Sequence, residues 1–430
     1  MTFRRALEIL GDRQETRIRL GLGRMRRHLA ALGDPQKAYR CVHVAGTNGK
    51  GSVCALLERV LRESGHVTGL YTSPHLSDVR ERIRVDGRPI PRKAFAAATA
   101  RALAAERRRP SDRLSYFELA TSIAFQHFRD AGVRVAVLET GLGGRFDATN
   151  VVAKPLASVV TTIDWDHMDF LGGTLGAIAR EKAGIFKRGA PAVVAETKPK
   201  PLAVLRRHAR RRGAPLREVR PTQWRAVRTE WANSRQIVAG PGGAELELGL
   251  LGEAQAANAA TALETVRALR AQGMPIPEPA LRRGLALARW PGRFEVLRRG
   301  RGRAILDGAH NPQAMRVFRR TLEASPWRRT RKLFVVGALR DKEHGELARV
   351  LGPALGGHRV AVVRPASPRA LEPQRFAREL AAAAPTARVR VVPRAADALA
   401  SWRRDEPVLC VCGSFYLVGE ARRLLGADRA

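Results

Sequence analysis

The sequence predicts an α/β protein in two parts, an N-terminal domain over residues 1–292 and a C-terminal domain over residues 293–430. Three observations predict it. β-branched runs alternate with segments of helical period along nearly the whole chain. The first strand-and-helix pair, "VHVAGTNGKGSVCALLERVL" from Val42 to Leu61, is joined by a glycine-rich loop that carries one lysine. After "WPGR" the alternation restarts with five strand-like runs. With 430 residues, 45% of them hydrophobic, the chain can bury two or three cores.

The elements follow in order. "CVHVA" is a short β-branched run that reads as a buried parallel strand. "VCALLERVLRESG" places apolar residues at 53, 56, 57, 60 and 61, a helical spacing that Gly65 stops. Between them lie Gly46, Thr47, Asn48, Gly49, Lys50, Gly51 and Ser52. Glycines let several N–H groups turn toward one anion, the helix start adds partial positive charge, and Lys50 adds a full one. This is a shortened phosphate-binding loop, and the Ser52 hydroxyl is placed to join a Mg²⁺ ion. Three further strands end in polar residues: "VTGLYTSPHL" at Ser73, "VRVAVLETGLGGRFDATN" at Glu139, and "ASVVTTIDWDHMDF" at Asp164, Asp166 and His167. In an open α/β sheet the loops beyond the carboxyl ends of the strands line one crevice. Ser73, Glu139 and His167 are therefore expected near the phosphate loop as an oxygen and nitrogen shell for Mg²⁺ or Mn²⁺; each alone also reads as a cap, a surface acid or a satisfied histidine. "WRAVRTEWANSRQIVAGPGGAELELGL" is a β-rich excursion counted with the first domain. "RAILDG", "KLFVVGAL", "HRVAVVRP", "ARVRVVP" and "PVLCVCG" are the strands of the second. No GxGxxG loop occurs there, so dinucleotide binding is not expected.

Composition excludes several classes. Lys and Arg total 77 against 40 acidic residues, a formal charge of +37. That balance reads either as nucleic-acid binding or as arginine spread over solvated surface. The arginines are dispersed without interleaved aromatics or a helix-turn-helix, so specific nucleic-acid binding is not expected, although anionic small molecules would be attracted. No apolar run approaches the ~18–20 residues of a membrane span. "MTFRRALEIL" has no apolar core or cleavage site for a signal peptide. Four scattered cysteines make no disulfide framework or zinc spacing, and Cys410-Val411-Cys412 reads as buried strand. A cytoplasmic protein without membrane association is expected.

The stretches "HVAGTNGKGS", "YTSPHL", "ERIRVDG", "SYFELAT", "ETGLGGRFDATN", "DHMDFLG", "EKAGIFK", "WPGRFE", "DGAHNP", "DKEH" and "GSFYLVG", in that order, resemble the signatures of folylpolyglutamate synthase and of its bifunctional form with dihydrofolate synthase, in the Mur ligase superfamily. The resemblance runs from about residue 10 to residue 424. It implies a P-loop Mur-ligase-type domain followed by a Rossmann-like Mur-ligase C-terminal domain. It also implies ATP-dependent joining of L-glutamate to dihydropteroate or to folates through an acyl phosphate, in a monomeric enzyme with two Mg²⁺ ions. Matched motif to motif, Thr47 through Ser52 resemble the ATP loop, with Asn258 toward adenine and Arg293, Asp307 and His310 toward the phosphates and nucleoside. Ser52, Ser73, Glu139, His167 and Lys182 correspond to metal ligands; Lys50, Lys182 and His167 correspond to the catalytic set, and Lys182 to a lysine carried carbamoylated. Without that correspondence, Lys182 reads as a helix-end lysine paired to a carboxylate. Ser115, Tyr116, Phe117, Glu118, Phe146, Asp147 and Ala148 match stretches bordering the pterin. Two positions depart from the pattern. Ala254 stands where the family often has histidine or an aromatic residue. Arg19-Leu20-Gly21 replaces an Asp-Leu-Gly stretch that some bifunctional members carry on the dihydropteroate side. A single folate activity therefore stays beside the bifunctional reading. A cell-wall Mur ligase would need an additional N-terminal domain, for which a phosphate loop at residue 46 leaves no room.

Overall fold

The computed structural model describes residues 1–13, 21–165, 168–300, 302–403 and 405–427. The chain forms two compact units. The first comprises Met1–Pro74, Val79–Trp224 and Ala257–Ala288; the second comprises His75–Asp78, Arg225–Ala256 and Arg289–Ala430.

Among the described residues the first unit has one sheet of eight strands: β1 (Arg40–Ala45), β2 (Thr68–Tyr71), β3 (Ile83–Val85), β4 (Arg88–Pro89), β5 (Val135–Glu139), β6 (Ala157–Val160), β7 (Ala192–Val194) and β8 (Leu216–Glu218). Their spatial order is β4-β3-β2-β5-β1-β6-β7-β8. β3 and β4 run antiparallel at one edge, and the other strands are parallel. Every residue of β2, β5, β6 and β7 is buried, which is why these strands read as continuous apolar runs. β1 lies between β5 and β6, so the chain leaves it toward opposite sides and opens a crevice at the carboxyl ends. The register sets the depth of that crevice: Val44 is level with Glu139, and Tyr71 is level with Leu138.

One core contains Leu10, Met25, Phe95, Phe125 and Phe128 from helices Phe3–Gly11, Gly23–Ala31, Arg92–Arg107 and Tyr116–Asp130. The other is built around Ile178, Ile185, Phe186 and Leu205. Each phenylalanine so buried contributes roughly 1.5–3 kcal/mol relative to exposure. Helix Lys50–Glu63 packs against helix Glu278–Leu287. At their crossing a Cβ on Gly284 would lie 2.5 Å from the Val60 Cα, so only glycine allows this approach.

The second unit carries β9 (Arg225–Glu230), β10 (Arg235–Ala239) and β11 (Glu245–Leu248) as an antiparallel sheet. Its main sheet holds β12 (Glu295–Arg299), β13 (Gly302–Leu306), β14 (Lys332–Val336), β15 (Arg359–Val362), β16 (Arg388–Val391) and β17 (Val408–Cys412), in the order β12-β13-β17-β14-β15-β16. β13 to β17 are the five strands expected from the apolar runs. β12 is an antiparallel edge strand that is only half buried, and its sequence "EVLRR" gave no such signal. In β17, Cys410 and Cys412 join one core while Leu409 and Val411 join the other, as strand alternation requires.

The expected single boundary at 292/293 differs from this division. The β-rich excursion belongs with the second unit: the Trp231 ring lies 5.9 Å from Phe294 and 5.7 Å from Trp327, and Gln236 bonds the Gly252 backbone twice. Aromatic packing of that kind cannot be read from strand propensity. Among the described residues no helix is long and apolar enough to cross a membrane.

Candidate active site

The phosphate loop leaves β1 at Gly46, whose φ is +148°, and a Cβ there would fall onto the Thr161 hydroxyl. The loop is held from beneath by neighbouring strand ends. The Thr47 N–H donates to the Thr162 carbonyl at 2.7 Å, and the Thr161 hydroxyl donates to the Asn48 carbonyl at 2.7 Å. The Thr47 hydroxyl donates to the Asp164 carbonyl and accepts from the Asp164 N–H, at 3.1 and 3.0 Å. Gly49, at φ +86°, precedes helix Lys50–Glu63, which no side chain caps. The first-turn N–H groups, of Lys50, Gly51 and Ser52 among others, therefore have no intrahelical acceptor and point toward the loop. A Cβ on Gly49 would sit 2.5 Å from Asn258 Oδ1, so the Asn258 amide lies directly against the loop.

Lys50 folds back on its own loop. Its Nζ donates to the carbonyls of Gly46 and Thr47 at 3.0 and 3.1 Å and lies 4.0 Å from Glu139 Oε1. A phosphate would replace these neutral acceptors by charged ones, which form hydrogen bonds about twice as strong. Lys182, 2% exposed near the end of helix Leu175–Ala183, also donates to the Gly46 carbonyl, at 2.8 Å. Two lysine ammoniums thus converge on one oxygen. Glu139 is 4% exposed and accepts from the Ser73 backbone N–H at 3.2 Å. Ser52 is buried on the first helical turn. These are hard oxygen donors beside a phosphate loop, which fits Mg²⁺ or Mn²⁺ and not a soft metal. His167 lies outside the described residues, and among the described residues no three His, Cys, Asp or Glu side chains form a metal cluster.

In the second unit Asp307, just beyond the end of β13, is half-buried. Its oxygens accept the N–H groups of Phe294 and Ala309, both at 2.8 Å. Burial raises its pKa, and the Arg293 charge opposes that rise. His310 Nδ1 bonds the Gly308 carbonyl at 2.8 Å, and its ring lies 5.2 Å from Phe415; the Arg293 guanidinium sits 4.5 Å over the same Phe415 ring. Both Asp307 oxygens are thus engaged with backbone, which makes this carboxylate an organiser of the loop around Arg293.

Comparison with known proteins decides the family. Residues 44–266 match the Mur ligase middle domain, and residues 292–415 match the Mur ligase, glutamate ligase domain. The Escherichia coli dihydrofolate synthase/folylpolyglutamate synthase is 36% identical over 99% of this chain and 96% of its own length. The chain belongs to the folylpolyglutamate synthase family of Mur ligases. Solved structures of the family agree. E. coli FolC in complex with DHPP and ADP superposes with a TM-score of 0.86 at 34% identity, covering 100% of this chain and 99% of that one. The bifunctional folylpolyglutamate synthase/dihydrofolate synthase of Yersinia pestis, complexed with AMPPNP and Mn ion, gives 0.83 at 32%, covering 99% and 98%. The chain spans only 42% and 48% of two longer relatives from Haloferax volcanii and Halobacterium salinarum, each named a probable bifunctional folylpolyglutamate synthase/dihydropteroate synthase.

The stretches matched to the pterin side of folylpolyglutamate synthases have mixed roles here. Arg19 and Leu20 lie outside the described residues, and Gly21 adopts φ +121°. Ser115 and Glu118 form a reciprocal cap on helix Tyr116–Asp130, and Glu118 Oε1 also accepts from Arg24 at 3.0 Å. Tyr116 lies beneath the buried Arg82 guanidinium, 5.2 Å from ring to charge. The Phe117 ring closes on Gly141, where a Cβ would come within 2.5 Å of it. Asp147 accepts from the N–H groups of Gly141, Leu142 and Thr149 and from the Thr149 hydroxyl, so it ties the glycine-rich turn after β5. Ala148 is buried, whereas Phe146 is exposed beneath the Arg145 guanidinium. Only Phe146 of that trio presents its side chain to solvent. Sequence reasoning missed Thr161 and Thr162, and it missed His43, buried on β1 with Nε2 2.7 Å from the Thr149 hydroxyl. The adjacent threonines after a buried strand were a signal; nothing in "CVHVA" marked His43 as a partner of residue 149.

Proposed function

We propose that this chain joins L-glutamate to dihydropteroate and to the γ-carboxylate of folate polyglutamates at the expense of ATP. The observation that carries the reading is the uncapped start of helix Lys50–Glu63 behind a glycine loop, with Lys50 Nζ 4.0 Å from the buried Glu139 carboxylate. A carboxylate is a poor electrophile. Its oxygen attacks the γ-phosphorus of ATP, ADP leaves, and the resulting acyl phosphate has a good leaving group. The glutamate amine then attacks the acyl carbon, inorganic phosphate departs, and the amine loses a proton. Phosphoryl transfer needs positioning and positive charge more than covalent help. Lys50 and the first-turn N–H groups supply both.

A divalent cation would be held by oxygens of Glu139, Ser73 and Ser52 with the His167 imidazole, and when bound it would neutralise part of the triphosphate charge. Two such ions, and a carbamate on Lys182, complete the proposal. Lys50 and Lys182 both donate to the Gly46 carbonyl, which brings the Lys182 side chain beside the phosphate loop. The neutral Lys182 amine adds CO₂ and releases a proton, which exchanges a cation for an oxygen ligand. Labelled bicarbonate should give a carbamate carbon signal in the metal-loaded protein that Lys182→Ala abolishes; its absence from active protein would refute the modification.

The test of function is glutamate-dependent ADP release with dihydropteroate and, separately, tetrahydrofolate. Release with both is expected. Release with neither removes the reading. Release with tetrahydrofolate alone favours the single-activity reading, which Arg19 in place of an acidic residue motivates.

A further inference from the structure

Arg293 stands in a short loop whose backbone is under unusual constraint. Gly292 before it has φ +72°, and Phe294 after it has φ +41°, a left-handed conformation that a residue with an aromatic side chain rarely adopts. Such strain persists only where the surroundings over-determine it. Here the Phe294 ring is buried, 5.9 Å from both Trp231 and Phe318, and its N–H is taken by Asp307. On the other side of Arg293, the Gly292 N–H donates to Glu295 Oε2 at 2.9 Å, and the Gly292 carbonyl accepts from the Gly308 N–H at 2.8 Å.

Glu295 is itself fixed. Arg422 Nε reaches its two oxygens at 3.2 and 2.9 Å, and Arg422 Nη2 reaches Oε1 at 3.0 Å, with both side chains largely buried at 12% and 16% exposure. This fork-on-carboxylate geometry fixes orientation as well as distance. Arg422 lies on helix Phe415–Leu424, whose first residue is the Phe415 that underlies the Arg293 guanidinium. One helix therefore supports Arg293 at its charged tip through Phe415 and, about two turns later, at the base of its loop through Arg422 and Glu295.

We propose that Glu295 and Arg422 are positioning residues for Arg293: a buried ion pair that holds the strained Gly292–Phe294 turn so that the Arg293 guanidinium is presented in one orientation to the transferring phosphoryl group. The proposal rests on the ligase reading above together with the resemblance, which sets Arg293 toward the nucleotide phosphates. In this proposal Glu295 and Arg422 make no contact of their own with substrate or nucleotide. They act through the backbone of one turn, and their loss leaves Arg293 in place but aimed over a wider range. The consequence falls on phosphoryl transfer and not on folate binding.

The experiment uses the full chain and measures kcat, the KM for ATP and the KM for the folate in glutamate-dependent ADP release. The variants are Arg293→Ala, Arg422→Ala, Arg422→Lys, Glu295→Gln and the double variant Arg293→Ala/Arg422→Ala. Arg422→Ala is expected to lower kcat roughly tenfold or more, within the range that a misplacement of about 1 Å produces, with the KM for folate unchanged. Arg422→Lys should recover part of that loss because an ammonium restores the charge but not the fork. Glu295→Gln, which keeps an acceptor for the Gly292 N–H, should lose less than Arg422→Ala. The double variant should be no worse than Arg293→Ala alone, because a residue that acts only through Arg293 then has nothing to position. Losses that multiply in the double variant would overturn the clamp and make Arg422 a general structural residue, including the case in which Arg422→Ala merely unfolds. Near-normal Arg422→Ala beside a crippled Arg293→Ala would overturn it too. A harmless Arg293→Ala would strike the underlying assignment of Arg293, and that result is read from the single variant alone.

Discussion

The phosphate loop of the first unit and the Arg293 turn of the second solve one problem with opposite charges inside. In the first, carbonyls face inward and two lysines, the half-buried Lys50 and the buried Lys182, satisfy them at Gly46, which leaves the N–H groups of an uncapped helix for an anion. In the second, carboxylates face inward and consume the N–H groups of Gly292, Phe294 and Ala309, and the Arg293 guanidinium lies over the Phe415 ring. The first presents a backbone, the second a single guanidinium. The lesson is that the sign of the buried anchor decides which part of a loop is left over for ligand.

Four expected outcomes test that contrast, in falling order of effect. Lys50→Ala should lower turnover by about 10²–10³-fold, the usual loss of one preorganised charge donor, with little change in melting temperature because the side chain leaves no core cavity. Retained ligation at near-normal rate would show that the backbone alone suffices. Asp307→Ala should act mainly on stability, since two buried N–H groups lose their acceptor at about 1–3 kcal/mol each; a denaturation midpoint equal to wild type would break the claim that the turn hangs on this carboxylate.

The pH dependence of one titratable group in each unit, His43 and Asp307, has opposite sign. His43, on the strand that feeds the phosphate loop, is pushed down to about 3 by burial, with Lys187 adding to the effect. Its unfolded value is near 6.5, so the unfolded state binds the proton first, and the stability it contributes falls as pH drops below about 6.5 toward 3. Asp307 is raised by burial, so its contribution is fully present below its unfolded value and is lost as pH rises through the folded one. Urea titrations between pH 6.5 and 4.5 should show His43→Gln flattening the acid loss by about 2 kcal/mol. An unchanged slope would place the acid sensitivity elsewhere, with the buried His28 and the half-buried His358, both lowered to about 4 by burial, as further candidates. Ser115→Ala is the mildest change, a loss of about 1 kcal/mol from an uncapped helix. Because Ser115 is engaged with Glu118, the KM for folate should not move; a several-fold rise would give Ser115 a direct substrate role after all.

By itself the sequence determined the strand-loop-helix unit at Lys50, the five strands β13 to β17, and the ordered motifs that place the chain among the folylpolyglutamate synthases. These are local patterns: apolar period, glycine position and residue spacing act over a few residues and survive without knowledge of partners. The tertiary structure alone decided what the polar side chains within those motifs hold. Asp147 and Asp307 stand in ligand-matched motifs, and only the fold shows that their oxygens accept the backbone N–H groups of Gly141 and Leu142 and of Phe294 and Ala309. Nothing local in the β-rich excursion over residues 224–250 shows that Trp231 packs against Phe294 and Trp327. The convergence of Lys50 with Lys182, 132 residues apart, on one carbonyl has no local trace. A carboxylate or an ammonium has the same composition whether it faces a ligand or a neighbouring loop. Only the fold, by fixing which unsatisfied backbone groups lie within hydrogen-bond reach, selects between the two.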